Sequence, residues 1–321
     1  MNNLLGVDIG GSNFRVGLFD QEGRRLLVSE TETDRAAGRE WMLAQVLEQC
    51  KTLLVQTDYP VKACGISFGG PVDFEDQLVT SIHAPGWKGF ALARWVEDNL
   101  KLPCRIDNDA NAGALGEFRY GAGRGSKSLS YITLSTGIGC GLIFEGRVYR
   151  GKDGLAGELG HIPVSDSGYP CSCGGKGCLE TFCSGTAIGQ KGREWGERRP
   201  ERVNRILELS DGQMEKISAR AIMQAAAEGD MAAVHIVREA ARWLARGVLT
   251  LIRVFNPDKV ILGGGVMQSA SVLLHPLRGY LDEFASPTIG YTTEILVAEL
   301  GTLSPLYGAG AMALDLVSQV P

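Results

Sequence analysis

The chain has 321 residues, of which 44% are apolar, and 32 basic against 37 acidic side chains leave a formal net charge of −5. This length suits two domains with well-filled cores, and the negative charge argues against a protein that binds nucleic-acid phosphates. No apolar run approaches the roughly 18 residues of a membrane span, and the N-terminus lacks the basic and apolar regions of a leader peptide. We therefore expect a cytoplasmic protein without a membrane partner, in which scattered cysteines are buried thiols.

The chain opens with a strand that ends in glycines. Residues 4–9 are mostly apolar, and a second strand starts at Asn13, so we predict a hairpin, which fits neither a Walker loop nor a dinucleotide fingerprint. Backbone N–H groups and small polar side chains in such a turn can approach phosphate oxygens, and Asp8 can hold a metal-bound water. An ordinary tight hairpin would explain the same pattern. The turn residues are Gly10, Gly11, Ser12 and Asn13.

The next elements lead to a pair of polar residues at a strand end. Apolar spacing predicts a helix over 39–56, a strand over 61–67 and a short helix over 92–100. A further apolar strand ends at Asn108 and Asp109, before a helix predicted over 112–118. Either residue could be the N-cap of that helix, and a carboxylate at a strand end is also where a general base is placed.

Residues 131–144 repeat the design of the N-terminal hairpin. An apolar strand reaches Thr136 and Gly137, and a returning strand follows the glycines. Two such hairpins, one in each half of the chain, are what a duplicated domain that grips a polyphosphate needs.

One histidine and three cysteines fall within eighteen residues. His161, Cys171, Cys173 and Cys178 are the ligand set of a closed, structural Cys3His zinc site, although a loop of buried thiols is the alternative. Carboxylates flank the loop at Glu158 and Glu180; zinc does not need them, so they are free to bind a hydroxylated ligand.

The C-terminal third contains a long helix and two glycine-rich segments. We predict the helix over 231–255 and a parallel strand over 259–262, which leads into Gly264 and Gly265, where a flat base or ribose could approach the backbone. Residues 301–310 are predicted as a loop, and 311–317 as an apolar helix.

Together these motifs resemble the ROK family of bacterial sugar kinases and repressors, in the family's order and over nearly the whole chain. The motifs are Asp8-x-Gly10-Gly11-Ser12, Asn108-Asp109-x-Asn111, Thr136-Gly137-x-Gly139-x-Gly141, Glu158-x-Gly160-His161 and Cys171-x-Cys173-Gly174-x-x-Gly177-Cys178-x-Glu180.

The resemblance implies an α/β fold of the actin/hexokinase (ribonuclease H-like) type, with two domains on either side of a cleft. The small domain would comprise 1–118 plus 304–321, and the large domain 119–303 with the zinc loop at 161–178. A homodimer is implied as well.

The resemblance also implies residue roles. Asp109 corresponds to the catalytic base, and His161 would bind zinc through one ring nitrogen and sugar through the other. The residues that would bind sugar are Gly70, Asn108, Asp109, Glu158, His161 and Glu180. Those that would bind ATP and Mg²⁺ are Asp8, Gly10, Gly11, Ser12, Asn13, Thr136, Gly137, Gly264 and Gly265.

The implied activity is transfer of the γ-phosphate of ATP to the 6-hydroxyl of an aldohexose, with glucose as the expected substrate. Allose, mannose or an N-acetylhexosamine are alternatives, since some motifs resemble the family's allose kinases. A non-catalytic sugar sensor or repressor is the alternative from another class; the first strand begins within a few residues of Met1, which leaves no room for a DNA-binding domain before it. His83 and Ala84 stand where the family commonly has an Asn, and Gly69 where a Pro is usual.

Overall fold

A computed structural model of the chain describes residues 2–34, 36–80 and 86–318. The strands are β1 Asn3–Ile9, β2 Asn13–Phe19, β3 Arg25–Glu32, β4 Val61–Phe68, β5 Val72–Asp73, β6 Leu78–Val79, β7 Cys104–Asn108, β8 Leu129–Leu134, β9 Ile138–Phe144, β10 Arg147–Val148, β11 Lys259–Gly263 and β12 Glu294–Val297. The helices are α1 Gly38–Leu54, α2 Leu92–Leu100, α3 Asp109–Tyr120, α4 Glu180–Cys183, α5 Gly185–Arg198, α6 Asn204–Glu208, α7 Ala219–Ala227, α8 Met231–Phe255, α9 Ala270–Phe284 and α10 Ser304–Ser318.

The chain forms two compact units. The first consists of the residues up to Tyr131, Gly141–Ala156 and the segment from Ala298 onward, and the second of Ile132–Cys140 and Gly157–Val297. The division into domains at 118/119 and 303/304 stays a prediction.

The first unit is built on a sheet of order β3-β2-β1-β4-β7. β1, β2 and β3 form an antiparallel meander, whereas β4 and β7 join β1 in parallel. The alternating residues of β1 explain the layers: Leu5, Val7 and Ile9 pack with α1 and α2, and Leu4 packs on the opposite face with α10. Both faces of the strand are therefore buried, as expected for a sheet covered by helices on both sides.

Glycines bring α10 unusually close to the first sheet and to α3. A Cβ added to Gly65 of β4 would lie 1.9 Å from the carbonyl oxygen of Ala309, and one added to Gly308 would lie 1.8 Å from that of Ala112. Neither contact leaves room for a side chain. The C-terminal helix is thus packed backbone to backbone against the sheet that opens the chain.

The second unit is rich in helices, and the chain contains a second five-stranded sheet. The second sheet has the order β10-β9-β8-β11-β12, which repeats the order of the first sheet, and β11 and β12 are parallel. The long helix α8 buries a continuous apolar stripe, including Ile236, Ala240 and Leu244, and Asp230 caps its N-terminus by accepting a hydrogen bond from the N–H of Ala233.

The bounds predicted for these elements agree with the structure to within two residues, except at the starts of two helices. α3 begins at Asp109, not near 112, because Asn108 is its N-cap. α10 begins at Ser304, inside the segment predicted as a loop. Gly308 and Gly310 lie within this helix and allow close packing against Ala112 and Phe19. No helix among the described residues is long and apolar enough to span a membrane.

Candidate functional site

The carboxyl ends of three neighbouring strands meet in the first unit. Asp8 lies near the end of β1, Gly69 directly follows β4, and Asp109 directly follows β7. A Cβ added to Gly69 would lie 3.2 Å from the carbonyl oxygen of Ile9 and 3.8 Å from Oδ2 of Asp109. This edge of a parallel sheet is the usual place for a ligand site in open α/β folds.

Asp109 has the electrostatics of a general base. Burial and the negative charge of Asp8 raise the pKa of its carboxyl from 3.8 to about 7, against the lowering effect of hydrogen bonds from Ala110 and Asn108. A base is most effective when its pKa lies near the working pH, because it is then deprotonated and still basic enough to take a proton. Such a shifted carboxyl is a mark of a functional site.

Asp8 is almost fully buried and shares its carboxylate between two partners. Ser67 Oγ donates to its Oδ1 over 2.8 Å, and Arg15 Nη1 lies 3.3 Å from its Oδ2. Burial nevertheless raises the pKa of Asp8, because desolvation outweighs these contacts. No sequence motif indicates Ser67 or Arg15. They contact Asp8 because β2 and β4 lie on either side of β1 in the sheet.

Asn108 holds the chain on both sides of Asp109. Its Oδ1 accepts a hydrogen bond from the N–H of Ala110 over 2.9 Å, which makes it the N-cap of α3. Its Nδ2 donates to the carbonyl oxygen of Gly70 over 3.1 Å, so two predicted sugar contacts lie side by side. The departures from the family pattern at His83 and Ala84 lie outside the described residues.

The second unit carries the other predicted sugar contacts. His161 ends a single 3-10 turn, Leu159–His161, that directly follows Glu158. Nε2 of His161 lies 3.7 Å from Oε2 of Glu158, and the side chain of Glu158 is 56% exposed. The carboxylate and the imidazole edge are therefore adjacent polar groups that a ligand can reach.

The four predicted zinc ligands converge within the second unit. The donor atoms of His161, Cys171, Cys173 and Cys178 all lie within 4.8 Å of one another. Sγ of Cys173 and Sγ of Cys178 are 3.7 Å apart, and Sγ of Cys171 is 3.4 Å from Nδ1 of His161.

These distances match a tetrahedral ion. Zinc–sulfur bonds of about 2.3 Å and zinc–nitrogen bonds of about 2.0–2.1 Å put sulfur atoms about 3.8 Å apart and sulfur and nitrogen about 3.5 Å apart. The donor set therefore fits one zinc ion. Because Nδ1 faces the thiols, Nε2 of His161 is left for another partner, as the resemblance implies.

Glu180 is tied to the second glycine turn. The N–H of Ile138 donates to its Oε2 over 2.8 Å, and a Cβ added to Gly137 would lie 2.3 Å from the same oxygen. Thr136 is held in turn, since its carbonyl oxygen accepts a bond of 2.8 Å from Thr186 Oγ1. The turn predicted to contact phosphate is thus hydrogen-bonded to one of the residues predicted to bind sugar.

The glycines of the predicted ATP site differ in their surroundings and exposure. Gly264 has a φ of +88° and a Cβ there would lie 2.4 Å from the carbonyl oxygen of Leu134, whereas a Cβ at Gly265 would meet open space. Gly10 closes the first hairpin by donating to the carbonyl oxygen of Asn13 over 3.0 Å, and Gly11 and Ser12 are exposed. Gly11, Ser12 and Gly265 are therefore accessible to a ligand.

The fold belongs to the actin/hexokinase class of α/β proteins, and similarity to known proteins identifies the family within it. A model of the ROK family matches residues 4–316. This chain belongs to the ROK family.

Relatives of this chain include glucokinases. The chain is 34% identical over 316 residues to a glucokinase of Thermotoga maritima and 32% identical over 316 residues to one of Streptomyces coelicolor, each alignment covering 98% of both chains. The crystal structure of a ROK family glucokinase from Streptomyces griseus, in complex with glucose and AMPPNP, superposes with a TM-score of 0.85 at 34% identity and covers 98% of this chain and 99% of that one.

Proposed function

We propose that this chain is an ATP-dependent glucose kinase that transfers the γ-phosphate of ATP to the 6-hydroxyl of the sugar. The observation that carries this proposal is Asp109, a carboxyl with a pKa of about 7 at the carboxyl edge of a parallel sheet in a ROK-family chain. The kinship with glucokinases, one of them solved with glucose and an ATP analogue, supports glucose and ATP as the substrates.

In this mechanism Asp109 accepts the proton of the attacking hydroxyl. Asn108 and Gly70 position the sugar, and Glu158, His161 and Glu180 bind its ring hydroxyls. Phosphoryl transfer consists mostly of positioning and charge neutralisation, so the base needs a hydroxyl held in line with the phosphate.

ATP binds the glycine turns. Backbone N–H groups of the Gly10–Gly11 and Thr136–Gly137 turns, with Ser12 and Asn13, hold the phosphates, and Gly264 and Gly265 admit the adenosine end. Mg²⁺ bound with ATP neutralises phosphate charge, and Asp8 holds one of its waters.

His161, Cys171, Cys173 and Cys178 would hold a structural zinc ion. Bound there, the ion would fix the loop that carries Glu158 and His161 at one end and leads into Glu180 at the other. The family resemblance also supports a location in the cytoplasm and a homodimer. Light scattering on the purified protein tests whether it is a homodimer.

A coupled assay tests the activity. Purified protein is mixed with Mg²⁺, ATP and glucose, and ADP release is compared with NADP⁺ reduction by added glucose-6-phosphate dehydrogenase. Equal rates in both channels are expected, because that dehydrogenase responds only to the 6-phosphate. Glucose binding without ADP release would instead mean a sugar sensor, and ADP release without NADPH would mean another acceptor or another hydroxyl.

A further inference from the structure

An ion pair between a buried carboxylate and a partly exposed guanidinium lies beside the proposed base and has no part in the mechanism above. Asp107, two residues before Asp109, is 2% exposed. Arg150, which directly follows β10 and belongs to the same unit, places Nε 3.0 Å and Nη2 2.5 Å from Oδ2 of Asp107. Both bonds are charge-assisted, which makes this one of the stronger polar contacts of the first unit.

The other oxygen of Asp107 holds the chain on both sides of Asp109. Its Oδ1 accepts the N–H of Asn108 over 2.8 Å and Nδ2 of the buried Asn111 over 3.0 Å. Four donors thus occupy the two oxygens of Asp107. The residue before Asp109 and the residue two after it are both fixed by one carboxylate.

Arg150 connects this carboxylate to two further segments. Its guanidinium carbon lies 3.5 Å from the centre of the Phe74 ring, in the β5–β6 hairpin that follows Gly70. Its carbonyl oxygen accepts the N–H of Ala156 over 3.1 Å, which closes the loop that ends two residues before Glu158. The residue therefore joins the hairpin after the sugar turn, the strand that carries the base, and the loop that leads to a sugar-binding carboxylate.

Stability alone is a poor explanation of this pair. Burying the carboxylate of Asp107 costs desolvation free energy that offsets much of its attraction to Arg150, and apolar residues often serve a core as well as a buried charge does. Apolar residues could not accept the two N–H donors from Asn108 and Asn111, however. The arrangement orients the segment around Asp109 in a way that packing could not.

We propose that Asp107 and Arg150 are a positioning pair that holds Asp109 in line with the sugar hydroxyl. This inference rests on the proposed function, since it assigns the pair a role only through the base. A base displaced by about 1 Å can lose on the order of 100-fold in rate, so small shifts of this segment matter.

A double-mutant cycle on kcat tests the proposal. Wild type, R150M, D109N and the double variant are assayed with ATP and saturating glucose well below their melting temperatures, and glucose affinity is measured separately. We expect R150M to lower kcat by about 10- to 100-fold in the wild-type background and by less than about 2-fold in the D109N background, because a base that is absent cannot be misplaced. An equal loss in both backgrounds, or no loss in either, would overturn the proposal.

Two further variants separate a positioning role from misfolding and from nonspecific effects of losing an arginine. R150K keeps the charge but loses the two-pronged contact, so it is expected to fold and still lower kcat by about 3- to 10-fold; unchanged kcat in R150K would count against positioning even if R150M failed to fold. Arg94, in an exposed pair with Asp98, is the matched control, and R94M should leave kcat unchanged. Failure of the proposed function is a separate outcome, visible as a wild-type protein that makes no ADP with any hexose.

Discussion

Asp109 combines two properties that oppose each other. Its raised pKa suits a base, and the same burial and repulsion from Asp8 that raise the pKa make the ionised carboxylate unfavourable in the folded chain. Sites of this kind trade stability for activity. Both consequences can be measured in one variant.

The first prediction concerns the effect of Asp109→Asn on catalysis. The amide keeps the shape of the side chain but cannot accept a proton, so kcat should fall by about 100- to 10,000-fold while glucose affinity stays within a few-fold. Asp98→Asn on the exposed face of α2 is the control and should behave as wild type. Near-normal turnover in Asp109→Asn would mean that Asp109 is not the base.

The second prediction concerns stability of the same variant against pH. Between the unfolded pKa of 3.8 and the folded pKa of about 7, the folded chain holds a proton that the unfolded chain has released. Wild type therefore loses stability relative to Asp109→Asn as pH rises through this window, and the difference is constant above it.

Above pH 7 the unfolding free energies of wild type and Asp109→Asn should differ by about 1–2 kcal/mol. The full change in the pKa of Asp109 corresponds to roughly 4 kcal/mol, and water near this partly exposed side chain screens part of that free energy. Urea unfolding from pH 4.5 to 8 without ligands measures it. A difference that does not change with pH would show that the folded pKa is not raised.

At the scale of elements, the zinc loop and α10 depend on different physics. In the loop from His161 to Cys178 the buried residues are Cys171, Gly177 and Cys178, so a bound ion would contribute much of what holds the loop. The packing of α10 instead depends on glycines, because a residue without a side chain lets the neighbouring backbone come into van der Waals contact.

The third prediction is for Cys173→Ser. Because this thiol is exposed, its loss removes no core packing, and a fall in zinc content from about one ion per chain should carry melting temperature and kcat down with it. Cys183→Ser is the control: it buries a hydroxyl and lowers stability, but metal analysis should still find zinc. Active wild-type protein without zinc would refute the metal assignment.

The fourth prediction is for Gly308→Ala in α10. Alanine normally stabilises a helix relative to glycine by about 1 kcal/mol, but a Cβ here would lie 1.8 Å from the carbonyl oxygen of Ala112, so we expect a loss of about 2–4 kcal/mol. Gly279→Ala in α9 is the matched control, since a Cβ there meets nothing within 4 Å, and it should be neutral or stabilising. Chemical denaturation of both variants compares them; equal stabilities would contradict the close packing of α10.

The fifth prediction concerns the whole molecule, because it ranks the sugars that the complete protein phosphorylates. Glucose should have the highest kcat/KM, with mannose, allose and N-acetylhexosamines lower, since one unmatched hydroxyl costs on the order of 1–3 kcal/mol. Parallel specificity constants for these sugars, with ATP saturating, measure it. A value for glucose more than tenfold below any other sugar would change the substrate and leave the kinase assignment standing.

Local patterns in the sequence determined much of this protein. The apolar spacing of α8 and the stop at Asn256-Pro257 predicted the bounds of that helix to the residue. The spacing of one His and three Cys predicted four residues whose donor atoms the structure brings within 4.8 Å of one another. Both predictions depend on residues that are near each other in the chain. The motif order was enough to identify the family. These inferences needed no knowledge of which distant segments meet.

Tertiary structure decided what depends on distant segments. A helix was predicted only over 311–317, but α10 begins at Ser304, and its first half packs where Gly308 meets the carbonyl oxygen of Ala112 and Ala309 meets Gly65. Likewise, Arg150 lies 43 residues from Asp107 in the chain, and no local pattern links them. A pKa near 7 for Asp109 also arises only when folding buries it beside Asp8, since a carboxyl in the unfolded chain has water around it and no fixed neighbour.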